Sequence, residues 1–389
     1  MLRKSNAEEE EEEEKMTHSH RLSVVLAGGG TAGHVNPLIA TALALREQVP
    51  GADITAVGTT SGLETALVPA AGFALDMIPR VPLPRHLNKD LVMLPKSFLS
   101  AVRAAQDVLR SRDADVLVGF GGYVSTPMYY AAHKLGIPFI VHEGNARPGL
   151  ANKIGARWAN VVALTFASTK LHAHKGETLS IGLPLKSSVT ALAQRDVRER
   201  LRTEAIAEWG FDPQKKTLLV TGGSSGALHI NEVVSASSEL LVRAGIQVLH
   251  ITGKGKDEPV RDIARSYPEG SYVVLDYLND MSKAYAVADA IITRAGAGMV
   301  AEVSALGIPA VFVPLPIGNG EQALNAQDVV RGGGALMVRN EEFSESWVNE
   351  HVVPLMDDAV LTRMRSRAQA VSSIDAAHNL ASIITEVAR

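Results

Sequence analysis

Cysteine is absent from the 389 residues. This excludes a disulfide scaffold, a thiol nucleophile and any zinc or iron–sulfur site built on thiolates. Aromatic side chains make up only 5%, too few for the stacking platforms that hold single-stranded nucleic acids. An excess of basic charge is missing as well. The formal net charge is −4, whereas a nucleic-acid binder carries a basic face, so nucleic acid is not expected as a partner. Long uninterrupted apolar runs are also lacking. Residues 22–45 carry no charged side chain, yet they contain Gly28, Gly29, Gly30 and Gly33, then His34, Asn36 and Pro37. Residues 303–320 are uncharged but hold Pro309, Pro314 and Pro316. Neither reads as a spanning helix of about 20 apolar residues, and no basic segment followed by a small-residue cleavage site reads as a signal peptide.

The small negative balance has a single source. Arg3, Lys4 and Lys15 face an unbroken run of glutamates at 8–14, and beyond them acidic and basic residues are equal in number. Such a run buries no apolar surface. Residues 1–20 are therefore expected to form a disordered acidic tail, with Met16 as an alternative start.

What the chain does hold is a repeated alternation. Short β-branched runs at 22–27, 54–57, 116–118, 139–141 and 161–164 alternate with stretches of helical period. The pattern resumes at 217–221, 248–252, 272–275, 290–293 and 310–313. This is the grammar of α/β folds with parallel sheets covered on both faces. Each half opens on a strand, a glycine loop and a helix: GGGTAGH at 28–34 and GGSSGA at 222–227. Two doubly wound, Rossmann-like domains are expected, over 21–183 and 184–372, facing across a cleft. A final helix is expected over 373–389, free to pack back on the first domain.

Open α/β sheets bind ligands beyond the carboxyl ends of their strands, so these loops should wall the cleft. Glycine lets the backbone approach a ligand, and the helix behind it offers free N–H groups and a partial positive charge. A third loop of this kind, RAGAG at 294–298, strengthens a reading of diphosphate handling over simple helix–strand packing. A dinucleotide redox enzyme needs an acidic residue at the tip of the second strand. The tips here are Val57-Gly58-Thr59 and Thr252-Gly253-Lys254. The phosphate-loop pattern GxxxxGK[ST] is absent too. The twelve histidines are scattered with no HExxH, so neither a metal nor a cofactor is expected.

Several polar residues fall at strand ends. His34 closes the first loop, either as a structural hydrogen-bonder or as a group able to take a proton near neutrality. Glu302 follows RAGAG by about one helical turn; it reads equally as a solvated carboxylate at a helix start or as an acceptor for two ribose hydroxyls. Glu143, in HEGN at 142–145, caps a turn or lines the cleft. Glu321, Gln322 and Asn325 lie after the run at 310–313 and suit sugar hydroxyls. Residues 78–112 differ in character. They hold Arg80, Arg85, Lys89, Lys96, Arg103, Arg110 and Arg112 against Asp90 and Asp107, interleaved with Leu91, Met93, Leu94 and Phe98. That is either a helix with a basic outer face or a patch for an anionic membrane surface.

Together GGGTAGHVNP (28–37), GFGGYVSTP (119–127), HEGNARPGLANK (142–153), TGGSSGALHIN (221–231), YLNDM (277–281) and RAGAGMVAEVSALGIPAVFVP (294–314) resemble the MurG family. These are bacterial cell-wall enzymes that convert lipid I to lipid II. The resemblance runs from about residue 21 to the end and implies a GT-B fold. It implies UDP-GlcNAc as donor, a polyprenyl-linked lipid I acceptor, an inverting transfer without an essential metal, and work at the cytoplasmic face of the membrane. It puts Thr31, Ala32, Gly33 and His34 on the first loop, with His34 as general base and Glu143 next in line. Asn145 is implied as a sugar contact, Lys186 as a diphosphate contact and Ser224 as a diphosphate or nucleotide contact. The backbone of Leu278 is implied at uracil, Ala297, Gly298 and Met299 over the diphosphate, Glu302 on the ribose, and Gln322 on the sugar. The chain departs from the family pattern at Ala32, Gly144, Lys186 and Glu321; lysine at 186 keeps the charge of the usual arginine without its fork. The resemblance also turns the reading of residues 78–112 toward the membrane surface, because the acceptor cannot leave the bilayer. Other readings are a UDP-GlcNAc 2-epimerase, a glycolipid synthase or a non-catalytic nucleotide-sugar module.

Overall fold

Strand β1 (Ser23–Ala27) is buried at every position, and so are β4 (Val116–Gly119), which pairs with it, and β5 (Phe139–Glu143), which pairs with β4. Strands that carry apolar side chains on both faces fit only the interior of a sheet covered by helices on either side. In the computed structural model they occupy the centre of a parallel seven-stranded sheet. The remaining strands are β2 (Asp53–Gly58), β3 (Ala74–Met77), β6 (Val161–Leu164) and β7 (Glu177–Ser180), in the order β3-β2-β1-β4-β5-β6-β7. A second parallel sheet is built from β8 (Lys216–Thr221), β9 (Ile246–Ile251), β10 (Tyr272–Leu275), β11 (Ala290–Thr293), β12 (Ala310–Phe312) and β13 (Ala335–Met337), in the order β10-β9-β8-β11-β12-β13. Two doubly wound α/β units are thus present, each with its own core on both faces of its sheet.

The structure describes residues 21–81, 89–223, 225–317 and 319–389, and, within 89–95, the backbone only. The acidic tail, Arg85 and Ser224 lie outside the described residues, as do the side chains of Lys89, Leu91, Met93 and Leu94.

Three strands and the first helix differ from the sequence reading. Strands β3, β7 and β13 have no apolar run to announce them. β3 and β7 are half-exposed along their length, and all three lie at sheet edges. The first helix begins at Ala32, within the GGGTAGH stretch read as a loop, and continues through Pro37 to Gln48. Pro37 is the sixth residue of this helix, past the partnerless donors of the first turn, so its missing N–H leaves the Gly33 carbonyl without its usual intrahelical bond. The last helix, Ala376–Val387, buries Leu380, Ala381 and Ile384 in the same cluster as Leu38, Leu45 and Phe73 of the first sheet's unit. The chain therefore crosses between the units twice.

Candidate active site

Both sheets change the direction of their strand order in the middle, between β1 and β4 and between β8 and β11. Loops leaving neighbouring strands there diverge to opposite faces and leave a crevice. The two crevices share one cavity of ≈ 1080 Å³. Thr31, Ala32, Gly33, His34, Glu143, Asn145, Lys186, Ala297, Gly298, Met299 and Glu302 all line it. Leu278, Gln322 and Asn325 stand outside its lining, while Glu321 is part of it.

His34 sits one turn into the helix that follows β1. Its Nδ1 lies 3.1 Å from the Gly29 carbonyl and 3.3 Å from Thr31 Oγ1. A carbonyl only accepts, so this bond requires the proton on Nδ1 and leaves Nε2 with a lone pair. Gly121, after β4, has φ +96°, and a Cβ there would lie 3.1 Å from His34 Nε2. Only glycine admits both that conformation and that approach. Burial lowers the imidazole pKa below its ordinary value, opposed by the Gly29 carbonyl and by Glu321 and Glu64. The ring is thus held neutral near physiological pH with one nitrogen uncommitted.

Two buried carboxylates organise the loops around it. Glu143, at the end of β5 and 2% exposed, accepts from Asn145 N at 3.0 Å, from Gly149 N at 2.9 Å and from Asn152 Nδ2 at 2.9 Å. Both of its oxygens are therefore engaged. Burial raises its pKa, against those three bonds and Lys153. Glu64, which the sequence reading passed over, accepts from Gly30 N at 2.8 Å and from Thr59 N at 3.1 Å. A Cβ on Gly29 would lie 2.5 Å from its Oε1. The only signal in the sequence was the pair of glycines that precede it, at 58 and 62.

On the opposite wall, Glu302 rises from the helix Ala297–Ala305 and accepts from the Tyr285 hydroxyl at 2.5 Å through Oε2. Burial raises its pKa, and Tyr285 and Lys186 pull it back down. The carbonyl oxygen of Gln322 is pinned between Ala295 N at 3.2 Å and Leu315 N at 2.9 Å, leaving its NH₂ to donate elsewhere. Asn325 has no surface to offer a sugar. It is 1% exposed, accepts from Ala146 N at 2.9 Å and donates to the Ala295 carbonyl at 3.3 Å. It joins the two walls. Arg147 Nη1 donates to Asn319 O at 2.6 Å, and Ser168 N to Asp328 Oδ2 at 3.0 Å, across the same seam.

Residues 24–164 match the N-terminal domain of glycosyltransferase family 28, and residues 217–380 match its C-terminal domain. A UDP-N-acetylglucosamine–N-acetylmuramyl-(pentapeptide) pyrophosphoryl-undecaprenol N-acetylglucosamine transferase of Paenarthrobacter aurescens is 49% identical over 369 residues, which is 95% of this chain and 97% of that protein. The crystal structure of Acinetobacter baumannii MurG superimposes with a TM-score of 0.75 at 28% identity, covering 94% of this chain and 99% of that one. A UDP-GlcNAc 2-epimerase from Neisseria meningitidis reaches a TM-score of 0.66 at 13% identity, with 94% and 99% covered, a likeness of fold alone. With near-half identity along almost its whole length, the chain belongs to the MurG family of UDP-N-acetylglucosamine–N-acetylmuramyl-(pentapeptide) pyrophosphoryl-undecaprenol N-acetylglucosamine transferases.

Proposed function

We propose that the cleft carries the family's reaction in this chain. N-acetylglucosamine passes from UDP-GlcNAc to the C4 hydroxyl of the muramoyl unit of lipid I, giving lipid II, with inversion at the anomeric carbon. The acceptor oxygen attacks the anomeric carbon from the face opposite UDP. The bond to the diphosphate breaks and UDP leaves with the electron pair. The hydroxyl proton goes to His34 Nε2. The observation that carries this reading is His34, which lines the cavity with Nδ1 fixed on the Gly29 carbonyl and Nε2 unpartnered among the described residues.

The other roles follow from chemistry. The helix starts at Ala32 and Ala297 present N–H groups to the two diphosphates, acceptor and donor, around Thr31–Gly33 and Ala297–Met299. Glu302 keeps Oε1 for the ribose hydroxyls while Tyr285 holds Oε2. Lys186 supplies positive charge near the leaving group. The NH₂ of Gln322 and the side chain of Asn145 donate to sugar hydroxyls. The Leu278 backbone meets uracil, and Ser224 keeps the diphosphate or nucleotide role the family resemblance implies. Glu143 acts by holding the 145–149 loop rather than by moving a proton, since both its oxygens are occupied.

The acceptor's polyprenyl chain keeps it in the bilayer, and no described helix is long and apolar enough to cross a membrane. Residues 78–112 are the proposed contact with an anionic, cytoplasmic membrane face. Within the helix Lys89–Ser111, Lys96 is exposed and Leu99 is 52% exposed.

The deciding experiment is UDP release with and without lipid I. Release that requires the acceptor separates transfer from epimerisation and from mere binding. His34→Ala is expected to lower kcat by roughly 10²–10⁴-fold with UDP affinity little changed. Turnover of this variant near wild type would assign the proton to another group.

A further inference from the structure

A second cavity, of ≈ 430 Å³, shares no residue with the cleft. Its lining includes apolar side chains from Leu192, Leu306 and Ile374, together with Arg198. Three arginines meet beside it, and two are satisfied. Arg202 Nη1 donates to the Val287 carbonyl at 2.7 Å, and its Nη2 lies 3.8 Å from Asp289. Arg365 Nε donates to the Gly307 carbonyl at 3.2 Å. Arg198, the one of the three that lines the cavity, has no hydrogen-bond acceptor or contact ion pair among the described residues.

Burial first, then the like charges of Arg365 and Arg202, hold the Arg198 pKa below its ordinary value, against the pull of Asp289. Arg198 is partly exposed at the cavity wall, so its guanidinium is accessible there and has no partner of its own among the described residues. Its planar fork of N–H donors matches one kind of ligand group, a carboxylate or phosphate bound through two oxygens. We propose that this cavity binds a small oxyanion-bearing ligand with an apolar portion, its anion on Arg198 and its apolar part against Leu192, Leu306 and Ile374.

The test is titration calorimetry on the full chain with saturating UDP, so that the cleft is occupied, at ionic strength matched with chloride. The probes are inorganic phosphate, inorganic diphosphate and hexanoate. Saturable binding of at least one is expected, weakened at least tenfold by Arg198→Met. Preference for the phosphates or for hexanoate assigns the anion. Without any anion, the Arg198→Met variant is expected to melt at or above the wild-type temperature, because an unpaired charge has been removed. Failure of all three probes to bind overturns the proposal, as does equal binding by the variant. A melting temperature several degrees lower makes Arg198 a packing residue and overturns it as well. If Arg198→Met does not fold, Arg198→Lys, which keeps the charge without the fork, carries the same comparison of affinities.

Discussion

Glu64 and Glu143 show how single buried carboxylates set loop shape. Each gathers backbone N–H groups of a glycine-containing loop that would otherwise have no partner on that side. Removing such an acceptor leaves buried donors unsatisfied, at about 1–3 kcal/mol. Glu64→Ala is therefore expected to destabilise the protein by that order and to weaken acceptor use; chemical denaturation together with acceptor KM checks both. The bonds from Gly30 and Thr59 outweigh the burial that would raise the Glu64 pKa, and hold it below the ordinary carboxylate value. Its stabilisation is therefore present above that ordinary value and is lost as pH falls through the lowered one. Glu64→Gln should remove that part of the acid sensitivity. A third carboxylate, Glu321, raises the His34 pKa through the charge it brings to the cleft. Replacing it by glutamine should let the His34 pKa fall further. The acid limb of kcat/KM should then move to lower pH, and a limb that stays in place would separate Glu321 from the base.

Among the elements, the interior strands were legible because β1, β4, β5, β8 and β11 are buried on both faces and carry unbroken apolar runs. The edge strands were not, since exposure frees a sequence such as ETLS in β7 from any such requirement. His34, Glu143, Glu302 and Glu321 were legible from their places after strands, while Lys186 came only from the family resemblance. Asn325 was read as a ligand contact because nothing local reveals a partner 179 residues away at Ala146. The last helix was expected over 373–389 with the first domain as a place to pack, and its buried face is Ala377, Leu380, Ala381 and Ile384. Leu380→Ala there should cost about 2–5 kcal/mol in global stability, measurable by denaturant titration. For residues 78–112, reversing Arg85, Lys89 and Lys96 to glutamate is expected to weaken sedimentation with anionic vesicles. Turnover of a bilayer-embedded acceptor should fall while a short-chain acceptor is used normally. Vesicle binding indifferent to salt and to these changes would place the membrane contact elsewhere.

At the scale of the whole molecule, the two sheets are held along one seam by Asn325, Arg147 and Asp328, and the chain passes across twice. Movement that opens the cleft must leave these bonds in place or break them. Asn325→Ala strands the buried Ala146 N–H and is expected to raise KM for donor and acceptor together, with a larger radius of gyration by solution scattering. The return of the helix Ala376–Val387 to the first unit has a further consequence for how the protein is made. The face of Leu38 and Leu45 is synthesised first, and its cover, Ala376–Val387, follows only after the whole second unit. At roughly 5–20 residues per second, that face waits some tens of seconds for its partner. Until then the nascent first unit is expected to expose this apolar face, and the order of synthesis, more than the strength of any contact, sets when its core is closed.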